Sequence, residues 1–164
     1  MTLDEEIPAS EGDAAPVEEP ADDPPAEVDV SDLAGTYVGK TNFGSYYVET
    51  YGGSITEDEI IITISENGMV EGTFIMEYDG GPQGRSCQTR TFITENGTLS
   101  GQIMQSTGTI NIEYTYNLER VNISCKSGDY TSQYSNIIPS AINISGNTVT
   151  GDGVGGIFFE ATKR

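Results

Sequence analysis

Ser65-Glu66-Asn67-Gly68-Met69-Val70-Glu71-Gly72-Thr73-Phe74-Ile75-Met76 reads as a tight turn followed by alternating apolar and polar residues. Asn-Gly between two apolar runs is a strong short-range hairpin signal, because both residues tolerate the positive φ of a type I′ turn. The upstream arm is Ile60-Ile61-Ile62-Thr63-Ile64, a β-branched run suited to a strand. On the return arm Val70, Gly72, Phe74 and Met76 share one face, and Glu71, Thr73, Ile75 and Glu77 share the other. One apolar face and one wet face is the signature of an antiparallel sheet packed on one side.

The pattern comes back. Thr94-Glu95-Asn96-Gly97-Thr98-Leu99-Ser100-Gly101-Gln102-Ile103-Met104 predicts a second Asn-Gly hairpin, and Ser145-Gly146-Asn147-Thr148-Val149-Thr150-Gly151 a third turn. Leu33 to Gly39 predicts a first strand. Asn42 to Tyr51 predicts a second, broken by Gly52-Gly53. Asp79 to Gly84 reads as a loop and Arg85 to Thr94 as a strand. Thr109 to Ser124 alternates as two strands turning near Glu119-Arg120, and Ser127-Gly128-Asp129 reads as a turn. Tyr130 to Ile138 is ambiguous, with Pro139 expected to end it. The expectation is an all-β domain of about nine or ten short strands with no helix: an antiparallel meander forming a small up-and-down β-barrel. A β-sandwich is the alternative. Hairpin following hairpin favours the barrel, since sandwiches need long crossovers.

Residues 1–32 form a different segment. They hold 12 of the 26 acidic residues, five of the seven prolines and none of the seven basic residues. Such a stretch cannot bury enough apolar surface to offset its ordering entropy, so a disordered acidic linker is expected over 1–32 and the β-domain over 33–164. An acidic docking segment for a basic partner is its functional alternative.

The 14 acidic and 7 basic residues of the body leave it moderately acidic, and its basic residues do not cluster. Nucleic acid and anionic membrane surfaces reward Lys/Arg patches, so neither is an expected partner. No apolar run is long enough to span a bilayer, so no membrane insertion is expected. Met1 runs straight into Thr2-Leu3-Asp4-Glu5-Glu6, which lacks the basic and apolar regions of an export signal. The expectation is that Met1 stands in place of a removed signal or N-terminal anchor. An acidic Pro-rich tether ahead of a β-domain matches the layout of periplasmic, surface-anchored (lipoprotein) or secreted proteins, an argument by analogy. Cys87 and Cys125, in no CxxC motif, are expected to form one disulfide, worth about 3–4 kcal/mol by loop closure. Two buried thiols are the alternative.

Gly35-Thr36-Tyr37, preceded by Leu33, resembles the Gly-x-Trp motif that opens the calycin barrels, lipocalins and avidins, with Tyr for Trp. The spacing from Leu33 to Ser45, then a strand, a turn and Gly68-x-Val70-x-Gly72-Thr73, is similar in rhythm to an avidin opening. Lys163-Arg164 ends the chain where calycins often place a basic residue over the first-strand aromatic. The resemblance implies an antiparallel barrel that binds something small inside, with Tyr37 and Arg164 in structural roles. It does not imply biotin, because avidins line that site with several Trp and this chain has none.

Chemistry is sparsely signalled. The chain has no His, which removes the usual neutral-pH acid/base and the commonest zinc ligand. No Ser-x-x-Lys pattern appears. Glu57-Asp58-Glu59 lacks the spacing of a calcium loop and reads as a solvated turn. Glu77 and Glu113 are indistinguishable as members of a carboxylate pair. The expectation is therefore no enzyme, no metal and no cofactor. Nine tyrosines without tryptophan are the one bias that points to binding, since Tyr presents a large ring with few rotors and a polar tip. Tyr37, Tyr46, Tyr47, Tyr51, Tyr114 and Tyr116 are the candidate ligand-binding residues, and Tyr130 and Tyr134 form a second group. The expected function is a non-catalytic, extracytoplasmic, lipocalin-like barrel, a monomer, holding a small or apolar ligand. A filled barrel acting as a structural or protein-interaction module is the alternative.

Overall fold

The computed structural model describes residues 29–124, 128–153 and 156–164, with the side chains of 153, 156 and 157 left out. Most of the acidic linker lies outside the described residues. Eight antiparallel strands close in sequence order into an up-and-down barrel: β1 (Gly35–Thr41), β2 (Ser54–Ile64), β3 (Met69–Gln83), β4 (Thr89–Ile103), β5 (Thr107–Asn122), β6 (Tyr130–Ser145), β7 (Thr148–Gly153) and β8 (Gly156–Lys163). β8 pairs back onto β1, from Tyr37↔Lys163 to Thr41↔Phe159. A short helix, α1 (Val30–Leu33), precedes β1, and a second, α2 (Phe43–Tyr51), separates β1 from β2. No helix among the described residues is long and apolar enough to cross a membrane.

The first hairpin lies where the sequence puts it, with a different turn. Gly68 takes φ 80° and no non-glycine residue among the described residues has positive φ, so Asn67 does not supply the second left-handed residue of a type I′ turn. Gly68 N–H donates to Ser65 O at 2.9 Å and Ser65 N–H to Met69 O at 2.9 Å, a turn followed by a left-handed glycine. Asn67 Oδ1 accepts from Ser65 Oγ at 2.5 Å and Met69 N at 3.3 Å.

The second hairpin does not exist. Asn96-Gly97 lies in the middle of β4, where Asn96 opposes Ile75 and Thr115, and Gly97 opposes Phe74 and Tyr114. Gly97 serves space, not a turn: a Cβ there would lie 2.8 Å from Phe74 Cε1 and 2.9 Å from Tyr114 Cα. Gly72 makes the same room beside Leu99, and Gly151 beside Phe159. Pairing a small residue with a large neighbour is how a narrow barrel fills its interior. The third turn, around Gly146, joins β6 to β7 as expected, with Ser145 paired to Thr148.

The strands are fewer and longer than the turn signals suggest. β5 runs unbroken through Glu119-Arg120, and β6 runs unbroken through Pro139. Pro139 is tolerated because β6 pairs with β7 only over Ile142–Ser145, leaving its other edge near Pro139 without a ladder partner among the described residues. β3 continues to Gln83 through an irregularity between Asp79 and Pro82, and residues 84–88 are the loop. Of the turn expected at 127–129, Ser127 lies outside the described residues.

The expected strand over Asn42–Tyr51 is the helix α2. Its inward residues are Phe43, Tyr47 and Val48, spaced i, i+4 and i+5, a helical stripe. Gly52 ends it at φ 73°, donating its N–H to Val48 O at 2.9 Å. The β1–β2 ladder ends at Gly39↔Ile60, and beyond it Asp58 ties β2 to the end of β1 by accepting from Thr41 N at 2.8 Å and Thr41 Oγ1 at 2.9 Å.

The barrel therefore has two unlike halves. In the half nearest α1, a continuous core of isoleucines and aromatics, including Tyr37, Ile60, Ile62, Ile110, Ile142 and Phe159, is fully buried. Phe43, Phe74 and Phe158 stack edge-on or tilted across the middle, with centroids 4.4–6.4 Å apart. Beyond them only β2–β6 continue, and α2 covers part of the gap that the short β1, β7 and β8 leave.

A tyrosine-lined cup over a buried carboxylate

Along the inner face of the long half, antiparallel register sets rows of side chains across neighbouring strands. One row runs Met76, Glu95, Tyr116, Tyr134; the next runs Tyr78, Ile93, Leu118, Ser132. α2 lowers Tyr47 onto these rows. The Tyr47 hydroxyl donates to Glu95 Oε1 at 2.6 Å. Tyr47 packs at 5.4 Å on Tyr78 and at 6.5 Å on Tyr51. Tyr134 lies 5.0 Å from Tyr116 and 5.8 Å from Tyr114, and the hydroxyls of Tyr114 and Tyr134 are 3.4 Å apart. Tyr78 OH donates to Gly52 O at 2.5 Å, which anchors the C-terminal end of α2. A pocket of about 170 Å³ lies among Tyr47, Tyr51, Tyr78, Ile93, Tyr116 and Leu118, with Gln83, Thr91 and Arg120 at its edge.

Glu95 does not line this pocket itself; it adjoins two residues that do, Tyr47 through the hydrogen bond and Tyr116 as its ladder partner on β5. It is 4% exposed, and its Oε2 has no hydrogen-bond partner among the described residues. Burial pushes its carboxyl above the usual carboxylate range, and the Tyr47 hydrogen bond only partly offsets that. Burial also raises Tyr47 and Tyr116, each further through the Glu95 carboxylate beside it. The one ion pair among the described residues, Arg90–Asp79, holds Asp79 down at about 2 and does not involve Glu95. Among those residues, Glu95 is thus a buried carboxylate without a countercharge.

No family model matches this chain, and no curated protein or solved structure does either. What the site can do follows from its own geometry.

Three of the six tyrosines singled out in the sequence, Tyr47, Tyr51 and Tyr116, line this pocket, while Tyr114 packs against the core of the solid half, opposite Gly97. Tyr46 packs edge-on against Tyr47 at 5.5 Å and is largely exposed. Tyr37 does not belong with them. It is fully buried in the opposite half, where its hydroxyl donates to Leu33 O at 2.7 Å. The basic residue over its ring is Lys163, with Nζ at 6.0 Å, and not Arg164. Strand alternation gives the reason: Tyr37 pairs with Lys163, while Arg164 follows the strand and donates its backbone N–H to Thr36 O. The residue missed in the sequence is Glu95. Placed in an Asn-Gly turn it reads as solvated; placed in one strand with Ile93, Gly97 and Leu99 it shares their inward face.

Among the described residues no group of three or more metal-ligating side chains converges. Glu57, Asp58 and Glu59 sit within β2, with Asp58 engaged by Thr41. Cys125 lies outside the described residues, so the Cys87–Cys125 pairing is not on view.

Proposed function

We propose that this chain is a non-catalytic, extracytoplasmic, calycin-like barrel that binds a small molecule in the cup formed by α2 and the long ends of β3–β6. The observation that carries the reading is the division of the barrel. One half is packed solid, while the other gathers Tyr47, Tyr51, Tyr78 and Tyr116 around a 170 Å³ pocket. Aromatic walls with a few convergent polar groups are what small-molecule sites are made of. At 170 Å³ the cup is smaller than the roughly 300–1,000 Å³ of drug-sized sites, so the ligand is small or only its head enters. The basic residue over Tyr37 and the Gly35-Thr36-Tyr37 opening support the calycin comparison.

The export part of the proposal rests on the expected Cys87–Cys125 disulfide. Gln88 O accepts from Ile123 N at 2.8 Å and from Ser124 N at 3.3 Å, and Gln88 N donates to Ser124 Oγ at 2.8 Å. These bonds hold Gln88, next to Cys87 in sequence, against Ile123 and Ser124, and so support a Cys87–Cys125 bond suited to an oxidising compartment. A filled interaction module is the second reading. It is favoured by the exposed Tyr130, Tyr134 and Ile137 on β6, a strand with no charged residue to guard its open edge.

Native mass spectrometry of freshly purified protein separates the two. A mass lost on denaturation supports the cup. A bare chain that instead forms a saturable complex through β6, abolished by Ile137→Lys, supports the module.

A further inference from the structure

Glu95 is a poor choice for a purely structural position. A buried carboxylate is costly unless a cation or several donors compensate it, and the one donor it has among the described residues is the Tyr47 hydroxyl. Ring faces carry negative electrostatic potential, so the tyrosines packed around it add no compensation to an anion. Both features favour the same visitor: a positive charge is drawn to a carboxylate and to the faces of tyrosine rings alike. The chain's net charge of −19 adds a long-range pull of the same sign.

We propose that the cup takes the ammonium head of a small organic amine, with Glu95 as its buried counter-charge and Tyr47, Tyr51, Tyr78 and Tyr116 as its walls. This rests on the small-molecule reading above and names the ligand's chemical class. To reach the carboxylate the head must part Tyr47, carried on α2, from Tyr116, carried on β5, the two pocket-lining rings that adjoin Glu95. An N–H of the ammonium then satisfies Oε2, the acceptor left without a partner. Arg120 stands at the rim of the same pocket, exposed and in no ion pair among the described residues. It repels a cation at the mouth and so makes the site directional: the charged end must go inward, and the neutral end remains beside Arg120.

The two charges give opposite signs in one experiment. Calorimetric titration at pH 7.5 compares 2-phenylethylamine with the neutral 2-phenylethanol, on wild type, Glu95→Gln and Arg120→Gln. The expected result is amine binding at least about tenfold tighter than the alcohol, as for a desolvated charge pair. That preference disappears in Glu95→Gln and grows in Arg120→Gln. Arg120 is exposed, so its variant keeps the test valid even if Glu95→Gln folds poorly by circular dichroism. Equal binding of both probes overturns the amine assignment while leaving the small-molecule cup standing, and so does a weaker amine in Arg120→Gln. Failure of both probes at about millimolar concentration, with no mass lost on denaturation of the purified protein, overturns the cup as well.

Discussion

The two Asn-Gly pairs look alike in the sequence, and the structure assigns them opposite roles, so the same substitution at each should have opposite effects. Asn96→Thr places a β-branched residue in mid-strand, half-buried, between Ile75 and Thr115 on the neighbouring strands. Strand propensity spans about 1 kcal/mol and a good cross-strand pair contributes about 0.2–1 kcal/mol, so the variant should be neutral or up to about 0.5 kcal/mol more stable. Were Asn96 instead in a type I′ turn, Thr would be forced into left-handed backbone at a cost of roughly 1–2 kcal/mol. Asn67→Thr removes the acceptor of the Ser65 Oγ and Met69 N bonds and should cost about 1 kcal/mol. The assay is urea unfolding followed by tyrosine emission. With a slope of about 2 kcal/mol per molar, the two midpoints should separate by about 0.5–0.75 M, Asn96→Thr the higher. A lower midpoint for Asn96→Thr than for Asn67→Thr would refute the register of β4, and with it the inward position of Glu95.

Three further outcomes follow from the structure. Tyr37→Phe leaves Leu33 O without its buried donor and should lower stability by about 1–3 kcal/mol without changing ligand binding, because Tyr37 lies in the closed half; urea midpoints and the amine titration check both parts. Glu95 faces Tyr47 from α2, Tyr116 from β5, Tyr134 from β6 and the uncharged Met76 from β3, and its carboxyl is raised by burial. A folded-state value above the unfolded one means stability that is present below about pH 4.5 and is lost as pH rises through the folded value, so wild type should lose stability relative to Glu95→Gln across that range. Asp79 has the opposite sign. Arg90 lowers it to about 2, so Asp79→Asn should cost up to about 1 kcal/mol at neutral pH, a difference that vanishes as pH falls from 3.8 towards 2.

The β class and the up-and-down meander are legible in the sequence because period-2 alternation is a direct consequence of strand geometry. Alternation alone assigns Val70, Gly72, Phe74 and Met76 to one face, and Val70, Phe74 and Met76 are buried there. Strand boundaries are not legible in the same way, because glycine carries two meanings. At Gly68 and Gly146 it permits a left-handed turn; at Gly72, Gly97 and Gly151 it gives way to a large neighbour on the next strand. Only the long-range partner separates the two, and that partner is absent from local sequence. The helix α2 is hidden for a related reason: its aromatic residues suit a strand, although Phe43, Tyr47 and Tyr51 recur every four residues. The tyrosine cluster is visible as composition. Its centre, Glu95, is hidden because its neighbours Asn96 and Gly97 imitate a turn.

The central claim is that the tyrosine-lined cup, and not the packed half, receives a ligand. Proton–carbon correlation spectra of protein labelled in its tyrosine rings test it directly, because Tyr37 serves as a built-in control at the closed end. Titration with 2-phenylethylamine, and separately with 2-phenylethanol, should shift the ring signals of Tyr47, Tyr51, Tyr78 and Tyr116 in a saturable way for at least one probe and leave Tyr37 unmoved. Cup signals that stay fixed under both probes, or a Tyr37 signal that moves with them, would contradict the account.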